Sequence, residues 1–420
     1  METYAHILLI ASPIFLLLVL AEKFYGYLKF GDEFHTMDTI SSLSSGYTNT
    51  LKDVLGLGIT IISYKWFYDH IAYFQIKSSV WVYIIAFVAL DLSGYWVHRL
   101  SHQINFFWNK HAIHHSSEEF NLACALRQSI SSFVNVFTFF LIPAAFFGVP
   151  PEVIALVAPV QLFAQFWYHT VYIDRMGFLE KIIVTPSHHR VHHAINPEYL
   201  DKNHSQIFII WDKLFGTFQE ELPDVKPVYG ITRPASTWNP IKINFQHLAL
   251  LIQDAWRAPK WQDKFTIWFK PTGWRPEGFE EKYPVAKVQD PMRMVKYTTV
   301  FDLKGRVWIW TQFLMTLGFL SALFYFIGEF NLTQMLSYGL WIFLVVYAYT
   351  EFMDQNPNFL IFEIIKNAAG IFIVTQTTLW DPILKNANWL AGIFISYCIV
   401  SSLVSVYFLK AENSFKTQNA

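Results

Sequence analysis

Two blocks of long apolar runs, separated by a polar stretch from about Val171 to Phe301, constrain this chain more than any other feature. A helix needs roughly 20 mainly apolar residues to cross the hydrocarbon core of a bilayer. Candidate spans lie at Tyr4–Leu20, Asn49–Trp66, Ser79–Trp96, Ser129–Val149 and Val153–His169 before the polar stretch. Val307–Ile327, Leu332–Tyr349, Ile361–Thr378 and Trp389–Leu409 follow it, although Glu363, Lys366 and Asn367 interrupt the third of these. The first run has neither a basic leader nor a small-residue cleavage site, so it reads as an uncleaved span. The expectation is an all-α polytopic membrane protein with about nine transmembrane helices. Composition agrees: 53% of the 420 residues are apolar and 15% are charged, against roughly 25% charge in an ordinary soluble chain. A net charge of −1 gives no field that would draw nucleic acid, and two cysteines, Cys124 and Cys398, make no disulfide scaffold.

Lys and Arg set the expected sidedness. Residues 171–306 hold 19 of the 31 basic residues. Lys23, Lys29, Lys52, Arg99, Lys110 and Arg127 fall on the same side of a nine-span topology, while the opposite loops offer only Lys65, Lys77 and Lys385. This predicts an extracytoplasmic N-terminus and a cytoplasmic polar domain. Four regions follow: N-terminal spans over 1–78, a His-rich core over 79–245, a cytoplasmic interfacial segment over 246–304 and C-terminal spans over 305–420. In the third, Ile241–Asp254 has helical apolar spacing. Trp256, Trp261, Phe265, Trp268, Phe269 and Trp274 then alternate with Arg257, Lys260, Lys264, Lys270 and Arg275, a mix suited to a bilayer surface.

Ten of the 15 histidines fall between His98 and His193. His98 and His102 form an HxxxH at the end of the third run. His111, His114 and His115 form an HxxHH, and His189, His192 and His193 form another. Spacings of three and four bring side chains to one helical face, where imidazoles can converge on an ion. Eight clustered imidazoles, with His169 and His188 beside them, exceed the needs of one metal, so two metals are expected. Imidazole suits iron, zinc, copper or nickel, and spacing does not choose among them. His6, His35, His70, His204 and His247 stand outside the pattern and read as ordinary hydrogen-bonded residues. No box has the HExxH of a metalloprotease, and the histidines gather at one membrane face rather than at the midplane sites of a transporter.

These boxes resemble those of the fatty acid hydroxylase/sterol desaturase superfamily. The likeness runs through Gly94-Tyr95-Trp96-Val97-His98-Arg99, His114-His115-Ser116-Ser117-Glu118-Glu119-Phe120-Asn121-Leu122 and Ala125-Leu126-Arg127-Gln128-Ser129. It continues in Thr185-Pro186-Ser187-His188-His189-Arg190-Val191-His192-His193, Asp201-Lys202-Asn203, Ile210-Trp211-Asp212-Lys213-Leu214-Phe215-Gly216-Thr217-Phe218 and Val228-Tyr229-Gly230. Together they are similar to the ether-lipid-cleaving branch, the alkylglycerol monooxygenases, over residues 80–245. The resemblance implies a non-haem di-iron centre, O2 as oxidant, a lipid substrate drawn from the bilayer and tetrahydrobiopterin as reductant. Other branches, acting on fatty acyl, sphingolipid, sterol or ornithine-lipid chains, would pair the same boxes with an electron-transfer protein. The ligands implied are His98, His102, His111, His114, His115, His169, His188, His189, His192 and His193. Asp91, Glu118 and Glu119 are candidate supporting carboxylates, as are Asp174, Asp201 and Asp212, and Gln103 stands where this branch carries an acidic residue. Trp238, Trp256 and Arg233 are candidates for the pterin site. The membrane implied is a bacterial inner membrane or the endoplasmic reticulum, with the active site facing the cytoplasm.

Overall fold

The computed structural model describes residues 2–74, 76, 79–135 and 137–418, without the side chains of 134, 135, 377–380, 384, 386 and 411–418. Lys77 lies outside them. Among the described residues there are sixteen α-helices, with a short two-stranded pair and four 3-10 turns. Those before the polar stretch are α1 Glu2–Phe30, α2 Thr36–Val54, α3 Tyr64–Ile71, α4 Val80–Gln103, α5 Asn105–His115, α6 Ile142–Phe146 and α7 Pro151–Phe163. The stretch itself contains α8 Pro186–His192, α9 Ile210–Phe215, α10 Pro240–Arg257, α11 Trp261–Thr266 and α12 Phe279–Lys282. The last four are α13 Leu303–Tyr325, α14 Leu332–Met353, α15 Phe359–Thr375 and α16 Thr377–Gln418, which kinks at Ala387.

Among the described residues five helices are long and apolar enough to cross a membrane: α1, α4, α13, α14 and the Ala387–Lys410 part of α16. The chain is therefore a multi-pass membrane protein, but four of the nine expected spans take other forms. Asn49–Trp66 is cut where α2 ends: Gly56 takes a left-handed φ of 66°, and Ile59–Thr60 then pairs in parallel with Val134–Asn135. Ser129–Val149 breaks into a 3-10 turn over 137–141 and the five-residue α6, because Pro143 and Gly148 interrupt it. The Val153–His169 run supplies only α7, of 13 residues. The fourth, α15, reaches 17 residues and lies between α14 and α16.

Among the described residues two apolar clusters are large, beside two of three residues each. The larger joins α1, α2 and the C-terminal helices around Trp341, Phe313 and Phe394. The smaller packs α3, α4, α6 and α7 around Val82, Ala86 and Val157. Between them α2 is unexpected from its composition. Its Thr39, Ser41, Ser42, Ser44, Ser45 and Thr48 are all buried. Thr39, Ser44 and Thr48 turn their hydroxyls back on the preceding turn, while Ser42 accepts from Arg127 and Ser45 donates to Gln128 O. Buried in the same way, Lys366 on α15 is held by Glu363 at 2.6 Å and Ser401 at 2.8 Å, which explains how charge survives in that apolar run.

Candidate di-metal site

The histidines come from four places. The C-terminal turns of α4 carry His98 and His102, and α5 carries His111, His114 and His115. His169 follows α7, and α8 with its C-cap carries His189, His192 and His193. They form two groups, each with ligand atoms within 4.8 Å of one another: His98, His102, His111, His115 and His192, then His114, His169, His189 and His193. Each HxxHH box is split between the groups. The i,i+4 pairs His111/His115 and His189/His193 stay together. His114 and His192, turned about 100° from their immediate neighbours, point to the other group.

The Nε2 atoms face inward. His98 lies 2.9 Å from His111, His115 is 3.0 Å from His111, and His192 is 3.1 Å from His115. In the second group His189 is 2.9 Å from His169 and 3.0 Å from His193. Meanwhile the Nδ1–H groups donate outward: His98 to His204 O at 2.7 Å, His102 to Asp201 Oδ1 at 3.2 Å, and His192 to Lys202 O at 2.9 Å. His114 donates to Arg127 O at 3.2 Å and His169 to Gln165 O at 3.0 Å. A neutral imidazole with its proton on Nδ1 presents a lone pair at Nε2. His114 and His169 thus point lone pairs at each other across 3.5 Å, an arrangement that repels unless a cation lies between. Two nitrogens at a right angle about 2.1 Å from one ion are themselves about 3.0 Å apart, so the spacing fits metal ligation. Burial, the largest cause in each case, lowers the pKa of His111, His115, His189, His192 and His193 well below 6.5, and that of His114 to about 4. Each is thereby kept in the neutral form that binds metal.

One tetrapeptide, Asp201-Lys202-Asn203-His204, supplies all three outward acceptors of the larger group. Asp201 and Asn203 each take a left-handed φ of 57°, which Asp and Asn tolerate better than most residues. Buried Asp212 secures the stretch by accepting from His204 N and Ser205 N, both at 2.8 Å. Asn203 bonds His188 O and Gln219 O. Such outer partners fix the tautomer and the ring orientation. Asp201→Asn should lower turnover by about 10–100-fold, and a change of less than twofold would remove Asp201 from this role. Acid should act on the whole site. A His with a folded pKa below its unfolded 6.5 takes up protons on unfolding. Stability and metal occupancy are therefore full above pH 6.5 and decline as the pH falls towards 4. Metal analysis after dialysis across that window reads the loss, and occupancy unchanged at pH 4 would contradict it.

Other expected residues fall elsewhere. His188 belongs to neither group: it is the third residue of α8, and its side chain accepts from Thr185 N in a capping box. The Thr185-Pro186 start of the helix carried that signal in the sequence. Glu118 and Glu119 line a separate cavity of about 400 Å³ with Asp38 and Arg127, where Glu118 accepts from Tyr297 N at 2.6 Å and Glu119 pairs with Lys296 at 2.7 Å. Burial raises the Glu118 pKa. Gln103 ends α4 with an exposed side chain, and its carbonyl accepts from Thr272 N. The carboxylate expected beside His102 comes instead from Asp201, distant in sequence. Asp91 touches none of the ligands and binds segment 207–211 to α4. Asp174 is exposed, bonding its own neighbour Arg175 N. Trp256 is 84% exposed, while Trp238 lines the Glu118 cavity. His204, set aside in the sequence as ordinary, lies within 4.9 Å of the His102 ring and orients His98 through its carbonyl.

A cavity of about 1110 Å³ opens onto this site. Leu8, Phe15, Leu162, Phe163 and Phe137 give it apolar walls, and His98, His111, His114, His169 and His189 close one part of it.

The profile of the fatty acid hydroxylase family matches residues 83–217, the stretch that holds every ligand. A human alkylglycerol monooxygenase is 34% identical over 395 residues, covering 93% of this chain and 87% of the human protein. The chain belongs to the alkylglycerol monooxygenase family. A Xenopus tropicalis alkylglycerol monooxygenase is 37% identical over 63% of this chain and 59% of its own length. An ornithine lipid hydroxylase of Rhizobium tropici is 28% identical over 36% of this chain and 45% of its own. No solved structure matches. Membership of the alkylglycerol monooxygenase family makes the chain an oxygen-dependent monooxygenase, and the two histidine groups are its candidate metal site.

Proposed function

We propose that the chain hydroxylates the carbon next to the ether oxygen of alkylglycerol lipids, using two iron ions and electrons from tetrahydrobiopterin. The observation that carries this reading is the apolar cavity of about 1110 Å³ that ends on imidazoles of both groups. Its size exceeds an ordinary small-molecule site, and its walls suit an alkyl chain rather than a polar metabolite. The cavity is lined by α1 and α7, so a chain can pass from the bilayer between them; Phe15 meets Phe166 at 4.8 Å on that path. When bound, the iron pair supplies the activation of O2 that an unactivated C–H bond requires. The protein holds it with His98, His102, His111, His115 and His192 on one side and His114, His169, His189 and His193 on the other. One oxygen atom enters the C–H bond and the other leaves as water, with two electrons and two protons from the reductant. The resulting hemiacetal collapses to a fatty aldehyde and a free glycerol hydroxyl.

Residues 1–78 and 305–420 frame the site as membrane regions, 79–245 carry the chemistry, and 246–304 lie at the bilayer surface. Trp261, Phe265 and Phe269 are exposed. Their segment pairs by backbone with the junction of α4 and α5: Phe106 N donates to Trp268 O, Asn105 N to Lys270 O, and Thr272 N to Gln103 O. The rings thus sit where a spanning helix leaves the hydrocarbon. The excess of basic residues in 171–306 supports the reading of this face, with the metals, as the cytoplasmic side of a bacterial inner membrane or endoplasmic reticulum.

The test is incubation of the purified, iron-loaded protein with an alkylglycerol, O2 and tetrahydrobiopterin. Fatty aldehyde should appear in proportion to pterin consumed. Absence of aldehyde, with oxidation of a fatty acyl, sterol or ornithine-lipid chain driven by an electron-transfer protein, would assign the chain to one of those chemistries.

A further inference from the structure

The nine ligands divide between two cavities without overlap. His98, His111, His114, His169 and His189 face the large apolar cavity, whereas His102, His115, His192 and His193 line a smaller one of about 170 Å³. The smaller cavity approaches the metals from the polar domain and has a different chemistry. Trp108 and Trp274 are among its lining residues. Arg233, half-buried in its wall, makes a long contact of 3.5 Å with Gln246 O, and the nearby Asp254 carboxylate is already paired with Arg275 at 2.6 Å. Thr272 Oγ1, also in the wall, is buried without a partner. Asp201, whose Oδ1 accepts from His102, lines the same space. A buried hydroxyl with no partner is costly unless a ligand completes it, and the Arg233 guanidinium beside it keeps donors to spare.

A monooxygenase must collect two substrates besides O2: the chain that is oxidised and the donor of two electrons. Only one of them is apolar. We propose that the smaller cavity is the reductant port, binding a flat, reduced nitrogen heterocycle of the tetrahydropterin class. Its ring would lie against the tryptophans, with its carbonyl oxygen accepting from Arg233 and Thr272 and an N–H donating to Asp201. The lipid and the reductant then reach the metals from opposite sides, and neither has to leave for the other to bind. The port rests on the reading above that a tetrahydropterin supplies the electrons.

Anaerobic titration of the iron-loaded protein with tetrahydrobiopterin, followed by calorimetry, tests the port. Arg233→Met should weaken binding by about tenfold or more, and Thr272→Val, a milder change that keeps the side-chain shape, by several-fold. Neither should alter binding of an alkylglycerol. Phe163→Ala, in the large cavity, should weaken lipid binding and leave pterin affinity within twofold. Under turnover, both port variants should raise KM for pterin while KM for lipid stays constant, a split that mere destabilisation would not give. Parent-like pterin affinity in both port variants would overturn the port and leave tetrahydrobiopterin standing as reductant. A parent protein that binds no tetrahydrobiopterin would overturn the port and the choice of reductant together.

Discussion

His193→Ala protein will lose turnover by more than about 100-fold, the upper end of what loss of an outer partner costs, and will hold close to one iron ion per chain instead of two. His193 is one of only four imidazoles in its group, and its Nε2 is 3.0 Å from that of His189. Three ligands would remain, with no carboxylate in the group to replace the fourth. The five imidazoles of the other group are untouched, so that ion should stay. His188→Ala is the matched comparison, being adjacent in sequence to a ligand yet outside both groups; it should keep both ions and lose only the α8 capping contact, worth about 1 kcal/mol. Iron content and aldehyde formation, measured on both variants, decide the matter. Two ions retained in His193→Ala, with activity within tenfold of the parent, would refute the four-imidazole group.

The second large effect lies away from the metals. Asp91→Ala should cost about 3–6 kcal/mol of stability, because three donors in a buried segment lose their acceptor at about 1–2 kcal/mol each. Asp91 is fully buried on α4 and accepts from Ile207 N at 2.9 Å, Phe208 N at 3.0 Å and Trp211 Nε1 at 2.8 Å, with Gln161 Nε2 at 3.2 Å. Domains have only about 5–15 kcal/mol in total. The loss should therefore appear as a large fall in Tm in detergent, with reduced iron because the segment directly follows His204. Asp91→Asn keeps one acceptor oxygen and should fall between. An Asp91→Ala protein with parental Tm and iron would show that the carboxylate does not anchor the segment.

The clustering of the histidines was largely legible in the sequence because helical spacing is local. His98 with His102, His111 with His115 and His189 with His193 are i,i+4 pairs, and each pair stays in one group. What separates His114 from His115 is the angle between adjacent helical residues, which spacing contains but composition hides. The partners of the ligands were less visible. Asp201 reaches His102 across 99 residues of chain, and no local pattern encodes that meeting. Spans were overcounted for a related reason. A hydropathy run does not reveal whether Gly56 or Pro143 will break it, or that a helix as polar as α2 can be buried by turning its hydroxyls inward.

The dependence of three ligands on the tetrapeptide 201–204 has a consequence for biogenesis. His114 and His169 take their outward acceptors from Arg127 and Gln165, so the four-imidazole group can be oriented as soon as α5, α7 and α8 have packed. The five-imidazole group waits for segment 201–217 to close over Asp212. The five-imidazole group should therefore be the more labile of the two: three of its outward acceptors sit on one loop, so local opening of residues 201–204 should release those rings while the other group stays oriented.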